Sequence, residues 1–198
     1  MTGSLVTVLP NMFSNEELDT LERFTQKHPG KANAYGRLTC WCNQQFMVGQ
    51  LDKKHEMTPI INKLTEIFLN QLNQQGFKYS KDKLTLDSHV DRVEAKKDEG
   101  ATGSIGWHQD HILVGTKKKV SDYTLVVLFS KNDNRWTGGE LLIRERNGNK
   151  KDPVYYQPCY NQGVFFRNNN TEHKVTAVIP QDDNVHRDIV VITCHLSK

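Results

Sequence analysis

The stretch Ile105-Gly106-Trp107-His108-Gln109-Asp110 decides how this chain is read. In an extended strand, residues i and i+2 point to the same side, so His108 and Asp110 share one face while Gln109 takes the other. Far downstream, His173 opens the alternating stretch 173–179 and offers a third donor if its strand lies beside the first. Two histidines and one carboxylate form a facial set with open coordination positions, the ligand pattern of non-haem Fe(II) and oxygen chemistry. An isolated His-x-Asp is more often a surface turn, so the weight rests on what surrounds it.

From residue 84 onward the periodicity is two. Residues 84–90, 105–110, 123–129, 140–145, 164–167, 173–179 and 187–195 read as short strands at hairpin spacings, which predicts a sandwich or barrel. The N-terminal part reads as helical. Ser14 and Glu17 make a capping box, Leu18, Leu21 and Phe24 give an apolar face, and His28-Pro29-Gly30 stops the helix. Thr58 is predicted to cap a second helix beginning at Pro59, with Ile60, Leu64, Ile67, Phe68 and Leu72 at helical spacing until Gly76. Residues 37–48 between the helices read as one or two strands. The polar connections 91–104 and 111–122 flank the metal strand and are predicted to form a mobile lid, with Lys117-Lys118-Lys119 as a solvated loop.

With 198 residues and no Pro/Gly/Ser-rich linker, the default is one domain over residues 1–198, in which 1–83 is a helical support region and 84–198 the β core. Apolar content of 36% and charged content of 25% fit a globular protein rather than a disordered one. The apolar run 123–129 is too short to span a bilayer, and the first residues lack a basic segment followed by an apolar core, so neither a membrane association nor a secretory signal is expected. Cys40, Cys42, Cys159 and Cys194 lack the paired C-x-x-C spacing of a structural zinc site and read as reduced thiols, which fits a cytoplasmic location. A net charge of +3 is too small to argue for nucleic acid.

The order of the downstream features is specific. After Asp110 come the run 123–129, Trp136-Thr137-Gly138-Gly139-Glu140-Leu141, Gly163-Val164-Phe165-Phe166, His173, and Arg187 near the start of the last strand. This series resembles the 2-oxoglutarate- and Fe(II)-dependent dioxygenases, within them the prolyl-hydroxylase-like branch, over residues 105–196. Val8-Leu9-Pro10-Asn11-Met12-Phe13-Ser14-Asn15-Glu16-Glu17-Leu18 is similar to the opening of that branch. The resemblance implies a mostly β fold with supporting helices: a double-stranded β-helix, or jelly roll, with N-terminal helices packed on one outer face. It implies Fe(II) held by His108, Asp110 and His173, 2-oxoglutarate as co-substrate, and ascorbate as an auxiliary reductant.

By the same resemblance Arg187 anchors the distal carboxylate of 2-oxoglutarate through two parallel charge-assisted hydrogen bonds, with Arg92 the next candidate. The gap from His173 to Arg187 is a few residues longer than the family pattern, through a longer turn at Pro180-Gln181-Asp182-Asp183-Asn184. Where the branch often has a tyrosine on the strand after His-x-Asp, this chain has Leu128, and Thr124 or Thr193 are the candidate substitutes as co-substrate contacts. His111 reads as a rim group, Trp107 as packing and Trp136 as an anchor. His55, His89, His186 and His195 lack comparable context.

The implied reaction is hydroxylation of a C–H bond, with succinate and CO2 as co-products, on a peptide or protein side chain, proline first. A hydroxylase of free amino acids or natural products is the alternative. Demethylation of alkylated nucleic-acid bases ranks lower, because that family usually carries a second arginine after the co-substrate arginine and none follows Arg187. A non-catalytic jelly-roll binding module ranks last, since a degenerate relative would lack a ligand.

Overall fold

The computed structural model describes residues 6–28, 30–32, 38–46, 56–77, 83–146, 154–156 and 159–197. Its large sheet has the strand order β1 (Val6–Pro10), β12 (Gln162–Phe166), β8 (Tyr123–Leu128), β15 (Val185–Leu196), β4 (Leu84–Ala95), β3 (Leu38–Phe46) and β2 (Lys31–Ala32). A smaller sheet follows the order β11 (Val154–Tyr156), β10 (Leu141–Glu145), β13 (Thr171–Val175) and β5 (Ile105–His108). Two ribbons complete it: β14 (Val178–Pro180) with β9 (Trp136–Gly138), and β6 (His111–Val114) with β7 (Lys117–Val120). The two sheets form a double-stranded β-helix. The N-terminal region adds more than helices, because β1 pairs with β12 and closes one edge of the large sheet; that strand is absent from the sequence reading.

Both helices lie on the outer face of the large sheet. Helix α1 (Asn15–Lys27) starts at the expected capping box, in which Glu17 N donates to Ser14 Oγ at 3.3 Å and Ser14 N donates to Glu17 Oε2 at 2.7 Å. Helix α2 (Thr58–Gln74) starts one residue before the expected position, so Met57 rather than Thr58 is its N-cap. Met57 is fully buried, and its packing places the chain in the helix early; Pro59 stays in the first turn, where its missing N–H costs nothing. Leu21, Phe24, Leu64 and Phe68 meet Leu86, Val90, Leu125, Val127, Phe165 and Ile192 in the main core.

Period-two alternation then divides the sheet. Leu125 and Val127 of β8 point to the helices, whereas Val126 and Leu128 point inward with Val164, Ile189 and Val191 against Leu141, Ile143 and Val175 of the smaller sheet. Every residue of β8 is buried, as a strand covered on both faces requires.

Three expectations need correction. The stretch 173–179 is two strands, because β13 pairs with β10 and β5 while β14 crosses to β9. The break falls at Thr176-Ala177, where Gly138, at φ 77°, accepts a backbone approach that leaves no room for a side chain beside the Ala177 carbonyl. The connections read as polar loops are in large part strand: residues 91–95 continue β4, and 111–120 form the β6–β7 hairpin, which puts the three lysines on a strand. The strand carrying His108 ends there, before Asp110.

Candidate metal centre

His108 and His173 are directly opposite one another across the β5–β13 pair. Their rings pack with centroids 4.1 Å apart, and Phe166 sets its edge against His173 at 5.1 Å. Both Nε2 atoms turn toward one oxygen of Asp110, at 3.6 Å for His108 and 3.5 Å for His173. One ligand atom from each of the three residues lies within 4.8 Å of the others. His108 Nδ1 stands 2.8 Å from the Gly106 carbonyl, which makes Nδ1 the protonated nitrogen and leaves Nε2 bare for a metal.

Because Asp110 follows the strand instead of lying in it, strand alternation cannot aim its carboxylate. Asn168, fully buried in a single 3-10 turn ahead of β13, does so. Its side-chain oxygen accepts from Asp110 N at 3.0 Å, and its amide donates to the Asp110 carbonyl at 3.0 Å and to Ser121 Oγ at 2.8 Å. Thr124 Oγ1 donates to Asp110 Oδ2 at 2.9 Å, leaving Oδ1 toward the histidines. Burial pushes the Asp110 carboxyl upward, but the two histidines outweigh it and hold the group well below the usual carboxylate range. It is ionised, as a metal ligand must be.

Arg187 is 2% exposed and lines the same cavity as the triad, together with Val126, Leu141, Ile189 and Val191. Gly139, at φ 74°, makes this possible, since a side chain there would begin 2.8 Å from Arg187 Nε. A second cavity, of about 510 Å³, shares Arg187 with the first and is bounded by Leu128, Lys131, Trp136 and Tyr160. Arg92 sits on the opposite face of the sheet. Its guanidinium donates to Asp188 at 2.8 and 3.1 Å and to Thr25 Oγ1 at 2.5 Å, which commits it to fastening α1.

Of the two threonines, Thr124 is bonded to Asp110 and Thr193 lies opposite it on β15; neither lines the cavity. His111 is exposed on β6, and Trp136 is buried with Val93, Val178 and Val185. Trp107 is covered by the Arg144 guanidinium at 4.0 Å and the Lys174 ammonium at 5.2 Å. Cys159 and Cys194 are not in disulfides, and burial pushes the thiol of Cys194 upward. The side chains of Cys40 and Cys42, and His55, lie outside the described residues.

Sequence reasoning missed Asn168 and Ser121, whose signal is a run of three asparagines just before His173, residues able to donate and accept at once. It also passed over His89. That residue and Asp91 line the metal cavity.

A jelly roll with an inward His/Asp/His face and an inward arginine defines a metal-dependent oxygenase site. The family model of the 2OG-Fe(II) oxygenase superfamily matches residues 75–193, and the chain belongs to that superfamily. It is therefore an oxidoreductase. Among solved structures it is similar to an oxidoreductase of the 2OG-Fe(II) oxygenase family from Burkholderia pseudomallei, with TM-score 0.66, 15% identity, and coverage of 98% of this chain and 87% of that one. The viral collagen prolyl hydroxylase of Paramecium bursaria Chlorella virus-1, solved with 2OG, has TM-score 0.61 and 15% identity, with 99% and 98% covered. A Trichoplax adhaerens prolyl hydroxylase, in complex with a hypoxia inducible factor peptide fragment, has TM-score 0.66 and 12% identity, with 97% and 84% covered. No curated protein matches the sequence. Among the described residues, no helix is long and apolar enough to cross a membrane.

Proposed function

We propose that residues 1–198 form one 2-oxoglutarate-dependent hydroxylase domain, acting on a C–H bond of a peptide or protein side chain in the cytoplasm. The observation that carries this reading is the convergence of the His108, Asp110 and His173 donors in one cavity with Arg187. The donor set fits Fe(II), since two neutral imidazoles and one carboxylate leave open positions that a closed tetrahedral site lacks. Bound Fe(II) would activate dioxygen, the oxidant, with 2-oxoglutarate giving up two electrons as it is decarboxylated to succinate and CO2, so that one oxygen atom enters succinate and the other the substrate C–H bond, while ascorbate would return oxidised iron to Fe(II).

The chain's own residues bind and orient. His108 and His173 present Nε2, Thr124 and Asn168 hold Asp110 in place, and Arg187 pairs with the distal carboxylate of the co-substrate. The valines, isoleucines and single leucine around the cavity exclude water and strengthen that ion pair. The prolyl hydroxylases among the structural neighbours support a peptide substrate and make proline the first residue to try. The test is succinate formation by iron-loaded protein against peptide, free amino acid and nucleic-acid pools, with mass spectrometry of the products. Gain of one oxygen atom on a peptide is the expected result; stimulation by amino acids alone would move the substrate class.

A further inference from the structure

The β6–β7 hairpin holds neither metal nor co-substrate, yet both of its ends stand on a metal ligand. β6 begins at His111, next to Asp110, and after β7 the Ser121 N–H donates back to the Asp110 carbonyl at 3.0 Å. From there the hairpin leaves the small sheet, where β5 ends, and lays β6 against β15, β4 and β3 of the large sheet. Two of those strands, β15 and β4, also line the metal cavity. The hairpin therefore bridges the two sheets at the end where His108, Asp110 and His173 converge.

Residues paired across a hairpin share a face, and the register sorts this one. Ile112, opposite Lys119, is 1% exposed and turns down onto the large sheet. His111, Leu113 and Lys118 therefore make the outer face, with Lys117 and Lys119 at its margins. All three lysines are exposed, and so is Leu113, at 38%. The chain's formal net charge is +3, and residues 111–120 hold three lysines and no acid, so the excess of positive charge sits on this hairpin while the rest of the chain balances. The next acid along the chain, Asp122, is turned to Asn169 Nδ2, the Leu196 N–H and His195 Nδ1.

A concentrated positive patch beside a reaction centre raises the local concentration of acidic ligands and selects among them. Nucleic acid is the poorer fit, because its backbone asks for a longer basic track than one hairpin supplies on a chain otherwise balanced in charge. An exposed leucine set among basic groups suits a peptide instead. We infer that the β6–β7 hairpin is the docking surface for an acidic segment of the primary substrate, a run of aspartates or glutamates close in sequence to the oxidised residue. Lys118 pairs with Leu113, three residues beyond Asp110, so roughly 10 Å of extended chain, about three residues, separates the metal ligand from that lysine. The acidic run is expected about three to five positions from the oxidised one. This rests on the oxygenase reading above and narrows its substrate.

The experiment measures binding of fluorescent peptide pools to protein loaded with Mn(II) and 2-oxoglutarate, without oxygen and at low salt. Each pool has a randomised centre, so the identity of the oxidised residue does not enter, and carries either three glutamates or three glutamines beyond the third position on both sides. The glutamate pool is expected to bind about tenfold more tightly, the scale of three exposed ion pairs worth a few-fold each, and the gap should close in molar salt. Lys117→Glu, Lys118→Glu and Lys119→Glu together should erase the preference while Mn(II) binding persists. Reversal of three exposed lysines elsewhere, Lys27→Glu, Lys31→Glu and Lys97→Glu, changes the net charge equally and should leave the preference in place. Equal binding of the two pools to the wild-type protein, or binding of neither, overturns the inference, and this comparison stands even if a variant does not fold. A preference that survives the hairpin reversal, or is lost as fully in the control, also overturns it. Displacement by an oligothymidylate of equal charge at a lower concentration than by glutamate peptide would assign the surface to nucleic acid instead. The oxygenase reading fails separately, by absence of Mn(II) binding that depends on His108, and repeating the pools on metal-free protein keeps the two outcomes apart.

Discussion

The helix-covered face of the large sheet and its cavity face are built from the same strands, one residue out of phase. On the helix side, Leu84, Leu86, Val90, Val190 and Ile192 pack against α1 and α2, and the buried charges close on each other as Arg92 with Asp188. On the cavity side, the same two strands present His89, Asp91 and Arg187 around an apolar floor. Arg92 and Arg187 are thus two buried arginines one register position apart, since Arg187 pairs with Val93 and Arg92 with Asp188. The first is a fastener and the second faces a cavity. A buried charge paired between two elements holds them together, while one that lines a cavity can also reach a ligand.

The comparison breaks most sharply at the triad. His173→Ala and Asp110→Ala should each abolish stoichiometric metal binding, measured by metal analysis after desalting, and unchanged occupancy in His173→Ala would remove the triad. For the native protein, affinity should fall as pH drops and protonated imidazoles lose their donor pairs. The two arginines come next. Arg187→Ala should weaken 2-oxoglutarate binding by roughly two to three powers of ten, or about 3–5 kcal/mol, and Arg187→Lys should recover part of the loss. Arg92→Ala should instead cost about 3–5 kcal/mol of folding stability, by leaving Asp188 buried without its cation, with co-substrate affinity unchanged in the folded fraction. Calorimetric titration and denaturant unfolding of both variants separate the roles, and the reverse pattern would exchange the two faces.

Thr124→Val tests the support of Asp110 at nearly constant volume. Metal affinity should fall about tenfold, at the low end for a group that orients a ligand. The remaining test concerns Asp87, on the cavity face of β4. Burial raises its pKa from 3.8 to about 6, against the opposing pull of His89 and the Ser88 backbone. A raised carboxyl favours the folded state only while protonated, so stability is lost as pH climbs from about 4 through about 6. Asp87→Asn should therefore match the wild type near pH 4 and exceed it by about 1–3 kcal/mol above pH 7, in parallel thermal scans. An equal difference at both pH values would point to packing rather than charge.

Much of this site is legible in the chain itself. His108 and Asp110 are two residues apart, and their donor chemistry is a property of residue type. Helix α1 follows from Ser14, Glu17 and the spacing of Leu18, Leu21 and Phe24, all local quantities. Arg187 could be named from its place in the order of strands, and on β15 it pairs with Val93 and lines the cavity. The inner and outer phases of β4 could also be separated by alternation. Which phase meets the cavity could not, because both are largely buried and each carries an arginine or an aspartate.

What only the tertiary structure decided is the set of contacts between residues far apart in sequence. Asn168 supports Asp110 because the turn before β13 abuts the end of β5, and Thr124 reaches the same carboxylate because β8 passes beneath it. His89 looked like any strand histidine until β15 placed Arg187 beside its strand and β13 placed His173 across the cavity. Residue type and spacing determine which donors a chain owns and which of them share a face. The neighbour each face receives depends on the pairing of distant strands, a collective result of burying both faces of the sheet at once.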